Sequence, residues 1–233
     1  MADRIDAALL ERARRSLRRR DPVLGAVIRR VGACELQRRG DPYRYLVRSV
    51  LFQQITGAAG TAIEKRLHAA YGGRVPPPAQ LRVAETETLR GAGLSRQKIE
   101  SLRAIATAFD ERTLDARRLT RLTDDAVVEA VTVVRGVGEW TAHMLLMFSL
   151  GRPDVLPVGD YGVRKAARDL YGLADLPKRK ELEALGEAWR PYRSVAAWYL
   201  WRSMDVPAPG VPSAGDAIKR CARHVDARKR ERP

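Results

Sequence analysis

The apolar residues of this chain recur at the three- and four-residue spacing of amphipathic helices. Two segments open with Asp-Pro, at Asp21-Pro22 and Asp41-Pro42, a pair typical of a helix N-cap followed by the first helical position. The apolar positions after the first pair are Leu24, Val27, Ile28 and Val31. No segment alternates apolar and polar residues over more than a few positions. The pattern therefore predicts an all-α fold of roughly ten helices.

Glycine-containing breaks separate the helices predicted in the second half of the chain. Thr123-Asp124-Asp125 predicts the cap of a helix that ends before Gly136-Val137-Gly138, and the next helix is predicted over residues 140–150. Asp160 opens a later helix, whose apolar face is Val163, Ala166, Ala167 and Leu170. The chain thus places a tight glycine turn before one apolar helix and a capped helix after it.

The composition adds a strong positive charge to this picture. Lys and Arg total 43 against 28 Asp and Glu, which gives a net charge of +15 in 233 residues. Such an excess favours a polyanionic partner, nucleic acid before a membrane surface. The hydrophobic fraction of 45% is enough to fill a core in one or two domains.

The cysteines and the terminal residues restrict the class of protein further. Cys34 and Cys221 are too few for a four-cysteine zinc site or an iron–sulfur cluster, and they suit a reducing compartment. Residues 1–20 are charged throughout and contain no apolar signal core. No apolar run approaches the roughly 20 residues of a membrane-spanning helix. The sequence therefore predicts a cytoplasmic protein that binds nucleic acid, has no membrane partner and requires no cofactor.

Gly136 and Gly138 predict a tight turn between two apolar helices, because glycine tolerates a positive φ and lets another backbone come close. The helix after Gly138 begins with unpaired N–H groups at the positive end of its dipole. Such a helix start binds phosphate without reading sequence. The alternative for this segment alone is an ordinary helix–turn–helix connection with glycine caps.

Residues 134–142, in which Gly-Val-Gly precedes Trp-Thr-Ala by one residue, resemble the helix-hairpin-helix of the DNA glycosylase superfamily that includes endonuclease III. In that family the loop after the second hairpin helix ends in an aspartate. Residues 156–165 stand in that place, and their Asp160 follows Trp140 at close to the family's usual separation.

Three further segments are similar to the same superfamily and occur in the same order. Residues 50–59 resemble its Gln-Gln segment, and residues 93–98 resemble another recurrent segment. Residues 189–196, with Trp201 further on, resemble the 3-methyladenine DNA glycosylase II branch. Long members of that branch have an extra N-terminal domain. Only forty residues precede Asp41 here, so this chain is expected to be a compact form.

The resemblance implies a two-lobed helical fold with the catalytic Asp at the lobe interface. Residues 1–205 are expected to form a single helical unit. One lobe would come from about residues 1–50 and 160–205, and a central lobe with the hairpin from about residues 51–159. Residues 206–233 are expected to be a basic C-terminal extension.

Asp160 has two interpretations. Because it precedes an apolar-periodic helix, it fits an N-cap. The resemblance implies that it is the catalytic residue, an anion that stabilises the oxocarbenium-like C1′ and orients or deprotonates the attacking water. The roles are compatible, since a helix N-terminus favours an ionised carboxylate.

The residue at position 140 indicates whether the enzyme also cuts the DNA strand. Family members that also cut the DNA strand carry a lysine at this hairpin position, and its amine forms a Schiff base with C1′. Here the residue is tryptophan, and Lys165 lies on the helix that follows Asp160. The resemblance therefore implies a monofunctional glycosylase without strand-cleaving activity.

The base pocket is expected to be aromatic. By resemblance, the residues that line it are Trp140, Tyr161, Trp201 and Met144. Aromatic faces suit a flipped base, and they suit a positively charged base such as 3-methyladenine or 7-methylguanine more, through cation–π attraction. Core packing is the alternative for each tryptophan.

The DNA contacts are expected at two turns. Ile55, beside Gln54, resembles the family's wedge, which fills the gap left by a flipped base; the alternative is a buried core isoleucine. The hairpin contacts predicted by resemblance are Gly136, Val137, Gly138 and Thr141. A Na⁺ or K⁺ ion is expected on the backbone carbonyls of Thr132, Val134 and Val137.

The predicted function is therefore excision of alkylated bases from double-stranded DNA by a monomer, as a step of base excision repair. One alternative is a glycosylase for deaminated or mismatched bases, whose neutral substrates would ask for hydrogen-bonding groups in the pocket. The other is a helix-hairpin-helix module that binds DNA without catalysis.

Overall fold

The computed structural model describes residues 5–206, so the basic extension predicted over residues 206–233 and Cys221 lie almost wholly outside the described part. Within residues 5–206 the chain forms thirteen α-helices, one π-helix and one 3₁₀ helix, and no strand. The predicted all-α class is confirmed.

The helices in chain order are α1 Ala7–Arg20, α2 Pro22–Val31, α3 Pro42–Phe52, α4 Gly57–Ala70, α5 Pro78–Arg82, α6 Thr86–Gly91, α7 Arg96–Asp110, α8 Ala116–Leu119, α9 Asp124–Thr132, α10 Glu139–Met144, the π-helix Leu145–Leu150, α11 Tyr161–Tyr171, α12 Arg179–Gly186, the 3₁₀ helix Glu187–Trp189 and α13 Arg193–Ser203.

The predicted N-caps begin their helices as expected. The side chains of Asp21, Asp41 and Thr123 accept hydrogen bonds from backbone N–H groups in the first turns of α2, α3 and α9. Proline occupies the first position of α2 and of α3, where its missing N–H costs nothing. The helices missing from the predicted set of roughly ten include α5 and α8, which are too short to show a full apolar period.

The single helix predicted over residues 140–150 is wrong in one respect. The α-helical hydrogen bonding stops at Met144, and Leu145–Leu150 continue as a π-helix that ends at the left-handed Gly151. A π-helical turn rotates the following side chains relative to an α-helix, and such turns are common at functional sites. Phe148, in this turn, is half-buried next to the predicted pocket residue Trp201.

The helices pack in two groups. In the first, α2 packs against α1 and α13, and α11 packs against α13 and α2. In the second, α7 packs against α5 and α3, α3 against α4 and the π-helix, and α10 against α9. Residues 42–50, assigned to the first lobe from the sequence, thus belong to α3, which packs on members of the second group. Asp160 starts α11 in the first group and reaches α10 in the second.

A buried carboxylate joins the first group internally. Asp21 is 6% exposed, and its Oδ1 caps α2 through the N–H of Leu24 at 2.9 Å. Its Oδ2 accepts from Nε1 of the fully buried Trp189 at 2.8 Å and from the Tyr171 hydroxyl. Burial and the Asp21 carboxylate raise the pKa of Tyr171, which keeps its hydroxyl a donor. One side chain thereby links α2, α11 and the 3₁₀ helix.

Asp21→Ala should lower the free energy of unfolding by about 3 kcal/mol, because it removes an N-cap and leaves two buried donors without a partner. Asp41→Ala removes only an exposed N-cap and should cost about 1 kcal/mol. Denaturant unfolding of the two variants beside the parent measures both. Equal losses would show that the buried Trp189 and Tyr171 bonds add nothing to the cap.

Candidate active site

The hairpin between α9 and α10 is held tightly at Gly136. This residue has φ +85°, and a Cβ added there would lie 2.2 Å from Oγ of Ser101 on α7. Its carbonyl oxygen accepts a hydrogen bond from Nε2 of Gln53 at 3.0 Å. Both reasons for a glycine at this position, conformation and close approach, are therefore present.

Gly138 differs from Gly136. It has φ −95°, which any residue adopts, and a Cβ there would meet nothing within 4 Å. The expectation that both glycines need a positive φ is wrong for this one. Gly138 occupies the N-cap position of α10, and no side chain at that position caps the first N–H groups of the helix.

The other predicted hairpin residues offer backbone carbonyls rather than side chains. Val137 and Thr141 are 4% and 3% exposed, so their side chains are not available to a ligand. Val134 is also buried, and its carbonyl accepts the N–H of Val137 at 3.0 Å, which leaves the oxygen a second lone pair. Thr132 is the last residue of α9, where carbonyls carry the negative end of the helix dipole. These carbonyls fit a monovalent cation chemically.

The predicted wedge lies in the short turn between α3 and α4. Gln54 has φ +56°, in the left-handed region that non-glycine residues rarely adopt. The next residue, Ile55, is exposed by 36%, and the chain then enters α4 at its N-cap Thr56. The alternative of a buried core isoleucine is wrong. The turn presents an apolar side chain to solvent beside the hairpin, to which Gln53 connects it.

Asp160 is bonded through both carboxylate oxygens. Its Oδ1 accepts from the backbone N–H of Val163 at 2.8 Å and from Nε1 of Trp201 at 2.9 Å. Its Oδ2 accepts from Nε1 of Trp140 at 2.7 Å. The carboxylate is 9% exposed. The predicted N-cap is confirmed, and the two indole bonds, which link residues 20 and 41 positions away, were not foreseen.

Three aromatic rings extend from this carboxylate. Trp201 stacks on Phe148 with ring centroids 6.0 Å apart and planes inclined by 21°, and Phe148 stacks on Tyr45 at 6.5 Å and 15°. Burial raises the pKa of Tyr45 to about 12, so the ring stays neutral. A cavity of about 390 Å³ opens at the far end of this aromatic row. It is lined by Arg39, Gly40, Arg44, Tyr45, Arg48 and Phe148.

Sequence reasoning missed the two outer members of this row. Tyr45 occupied an apolar position of a predicted core helix, and Phe148 lay in an uninterrupted apolar segment. Of the predicted pocket residues, Trp140 and Tyr161 are exposed by 46% and 64% next to Asp160. Met144 is 4% exposed, one turn of α10 after Trp140.

Ion pairs brace α10 from outside the site. Glu139, the first residue of α10, accepts from Arg179 on α12 at 2.6 Å, and this bond lowers the pKa of Glu139. Burial lowers the pKa of His143 on the same helix, which favours its neutral form. These contacts fix the helix that carries the indole of Trp140.

The family of the chain follows from this arrangement together with its sequence. Residues 47–191 match the family model described as HhH-GPD superfamily base excision DNA repair protein. The chain belongs to this superfamily. The match contains the Gln53–Ile55 turn, the hairpin and Asp160, and it confirms the family predicted from the motifs.

Relatives within the superfamily have names that point to one substrate class. DNA-3-methyladenine glycosylase 1 of Schizosaccharomyces pombe is 36% identical over 165 residues, which cover 70% of this chain and 72% of that protein. The structure of Schizosaccharomyces pombe 3-methyladenine DNA glycosylase (Mag1) in complex with abasic DNA matches with TM-score 0.76 at 32% identity, over 84% of this chain and 97% of that one. The structure of DNA-3-methyladenine glycosidase from Bacillus halodurans matches with TM-score 0.74 at 38% identity, over 81% and 87%.

Residues 5–206 contain neither a candidate membrane-spanning helix nor a candidate metal-binding cluster. No helix in this range is long and apolar enough to cross a membrane. The same part of the chain contains no group of three or more His, Cys, Asp or Glu side chains placed to hold a metal ion.

Proposed function

We propose that this protein is a monofunctional DNA N-glycosylase that removes alkylated bases, such as 3-methyladenine and 7-methylguanine, and leaves an abasic site. The observation that carries the proposal is the Asp160 carboxylate, which is fixed at a helix N-terminus beside a row of aromatic rings. The names of the superfamily relatives support the same substrate class.

The chemistry is a hydrolysis at C1′. The N-glycosidic bond breaks, and its electron pair leaves with the base. Positive charge develops on the sugar, and the Asp160 anion stabilises it in a site largely shielded from water. The oxygen of a water molecule then bonds to C1′, and the released proton passes to the carboxylate or to solvent. An alkylated base that already carries a positive charge is a good leaving group, so the reaction needs no general acid.

The aromatic rings would recognise the flipped base. Trp140 and Tyr161 are exposed next to the carboxylate and offer faces to a base that has left the duplex. The row formed by Trp201, Phe148 and Tyr45 extends the apolar surface behind them. A cationic base would gain about 0.5–2 kcal/mol from each favourable cation–π contact.

The two turns beside the site would hold the duplex. The backbone N–H groups around Gly136 and Gly138 suit a phosphate, and a Na⁺ or K⁺ ion held by the carbonyls at the end of α9 would add charge there. Ile55 would enter the gap left by the flipped base, with Gln54 beside it. A single lesion suits a monomer, and the free thiol of Cys34 suits the reducing cytoplasm.

Asp160→Asn should slow base excision by about 10²–10⁴-fold, the usual scale for a lost charge stabiliser or general base. The amide would also place its N–H₂ group opposite at least one N–H donor that now meets a carboxylate oxygen. The measurement is the release of free bases, resolved by mass, from methylated duplex DNA. Duplexes that contain uracil or hypoxanthine test the alternative substrate class. Excision by Asp160→Asn at the parent rate would overturn the catalytic assignment, provided that both proteins bind DNA equally.

Borohydride should trap no covalent enzyme–DNA adduct, because position 140 is tryptophan and the nearby Lys165 amine is paired with Asp169 at 2.7 Å. Product strands should stay intact until alkali or heat cleaves them at the abasic site. A lyase-competent glycosylase of the superfamily serves as the positive control. A trapped adduct that disappears in Lys165→Ala would show that this amine reaches C1′ and that the enzyme is bifunctional.

Gly138→Asp should weaken duplex binding by about 10-fold at low salt, since it places a negative charge where a phosphate is expected. Gly138→Asn is the matched control, because Asn is almost isosteric, equally good as an N-cap and uncharged. The open space at Gly138 lets both variants fold. Titrations across a salt series should show the loss for damaged and undamaged DNA alike, because phosphate contacts do not read sequence. Equal affinity of the Asp and Asn variants at every salt concentration would remove the hairpin from the DNA interface.

A further inference from the structure

Both oxygens of Asp160 accept hydrogen bonds from indole N–H groups, one from each group of helices. We propose that Trp140 and Trp201, together with Gly162, are positioning residues that hold this carboxylate in place through hydrogen bonds, apart from any contact of the rings with a base. The proposal rests on the proposed function, since it concerns how Asp160 performs its role there.

The number and direction of the hydrogen bonds to Asp160 favour a positioning role for the two tryptophans. An indole N–H only donates, and an ionised carboxylate only accepts, so each bond has one direction. With the N–H of Val163, three donors converge on two oxygens. Bonds to a charged acceptor are shorter and stronger than neutral ones, and at 2.7–2.9 Å these are in that range. Three donors from α10, α11 and α13 together restrict both the position and the rotation of the carboxylate plane.

Gly162 supplies an independent observation. It is the second residue of α11, in helical backbone, where glycine is a poor choice on propensity alone. A Cβ at this position would lie 3.1 Å from Cδ1 and 3.2 Å from Nε1 of Trp201, and 3.2 Å from Oδ1 of Asp160. These are the two residues joined by the hydrogen bond. The absence of a side chain at Gly162 therefore leaves the space in which the indole reaches the carboxylate.

The two tryptophans are held differently. Trp201 is half-buried, and its ring stacks on Phe148, so its N–H has a fixed direction. Trp140 is 46% exposed, so its ring is less confined by packing. We therefore expect the Trp201 bond to have the larger effect on chemistry.

Phenylalanine variants separate the two roles of a tryptophan, because phenylalanine keeps an aromatic face and lacks the N–H. Trp201→Phe should slow single-turnover excision of a duplex with one 7-methylguanine by about 10–100-fold at neutral pH, the scale of one hydrogen bond to a charged group. Trp140→Phe should slow it less. The acid limb of the pH–rate profile should move to higher pH in both, since loss of a donor to the anion disfavours the anion.

Gly162→Ala tests the same bond with every polar group and both indoles intact. The added methyl group requires the indole or the carboxylate to move by a few tenths of an ångström, which disturbs their bond, so excision should slow and the acid limb should move in the same direction. Alanine is a better helix former than glycine, so thermal unfolding should show a folded protein. Gly91→Ala, at the end of α6 with open space around its Cβ, is the matched control.

Trp198→Phe controls for removal of a tryptophan from α13. Trp198 packs edge-on against Tyr199 and has no bond to Asp160, so its variant should keep the parent rate and profile. Affinity for a duplex with an abasic site should stay within a few-fold of the parent in all variants, because the change affects the carboxylate and not the phosphate contacts.

The outcomes separate this proposal from the proposed function. If Trp201→Phe, Trp140→Phe and Gly162→Ala keep the parent rate and acid limb while Asp160→Asn is inactive, the positioning proposal is wrong and the glycosylase assignment stands. A slower rate with an unmoved acid limb would assign the tryptophans to the pocket alone and would also overturn the proposal. An active Asp160→Asn would overturn the proposed function itself.

Discussion

The site depends on the hydrogen bonds that the Asp160 carboxylate accepts. The carboxylate accepts one N–H from its own helix α11, one indole N–H from α13 and one from α10, so a single side chain joins the two groups of helices. A buried carboxylate without partners would be strongly destabilising, and these three donors offset that cost. The same bonds that make burial tolerable also fix the anion next to the aromatic rings.

A comparison with Asp21 shows that this bonding pattern alone does not define a site. Asp21 also caps a helix and also accepts an indole N–H and one further side-chain donor. Its tryptophan, Trp189, is fully buried, whereas Trp140 is 46% exposed beside Asp160. The first carboxylate is closed off by its donors, and the second borders a surface that a base can reach. Access, and not the local hydrogen bonding, therefore distinguishes the structural aspartate from the candidate catalyst.

The sequence predicted structural features correctly where they depend on residues only a few positions apart. The N-caps at Asp21, Asp41 and Asp160 depend on residues three positions away, and their pattern is visible in the chain. The bond from Trp201 to Asp160 spans 41 positions and leaves no periodic trace. The π-helix that places Phe148 beside Trp201 likewise depends on tertiary packing, since its residues show an ordinary apolar run. The family motifs predict which residues form the site, and the structure shows how the side chains of Trp140, Asp160 and Trp201 meet.

The two turns predicted to contact DNA are linked to Asp160 through packed residues and hydrogen bonds. Gln53 joins the turn before α4 to the carbonyl of Gly136, and Gly136 packs on Ser101 of α7 without room for a side chain. Three residues after Gly136 α10 begins, and its Trp140 donates to Asp160. A phosphate held at the hairpin and an apolar wedge at Ile55 would therefore sit at fixed distances from the carboxylate. Because the proposed hydrolysis at C1′ needs the anion within contact of one sugar, this connection would let sequence-independent phosphate binding align the reacting atom.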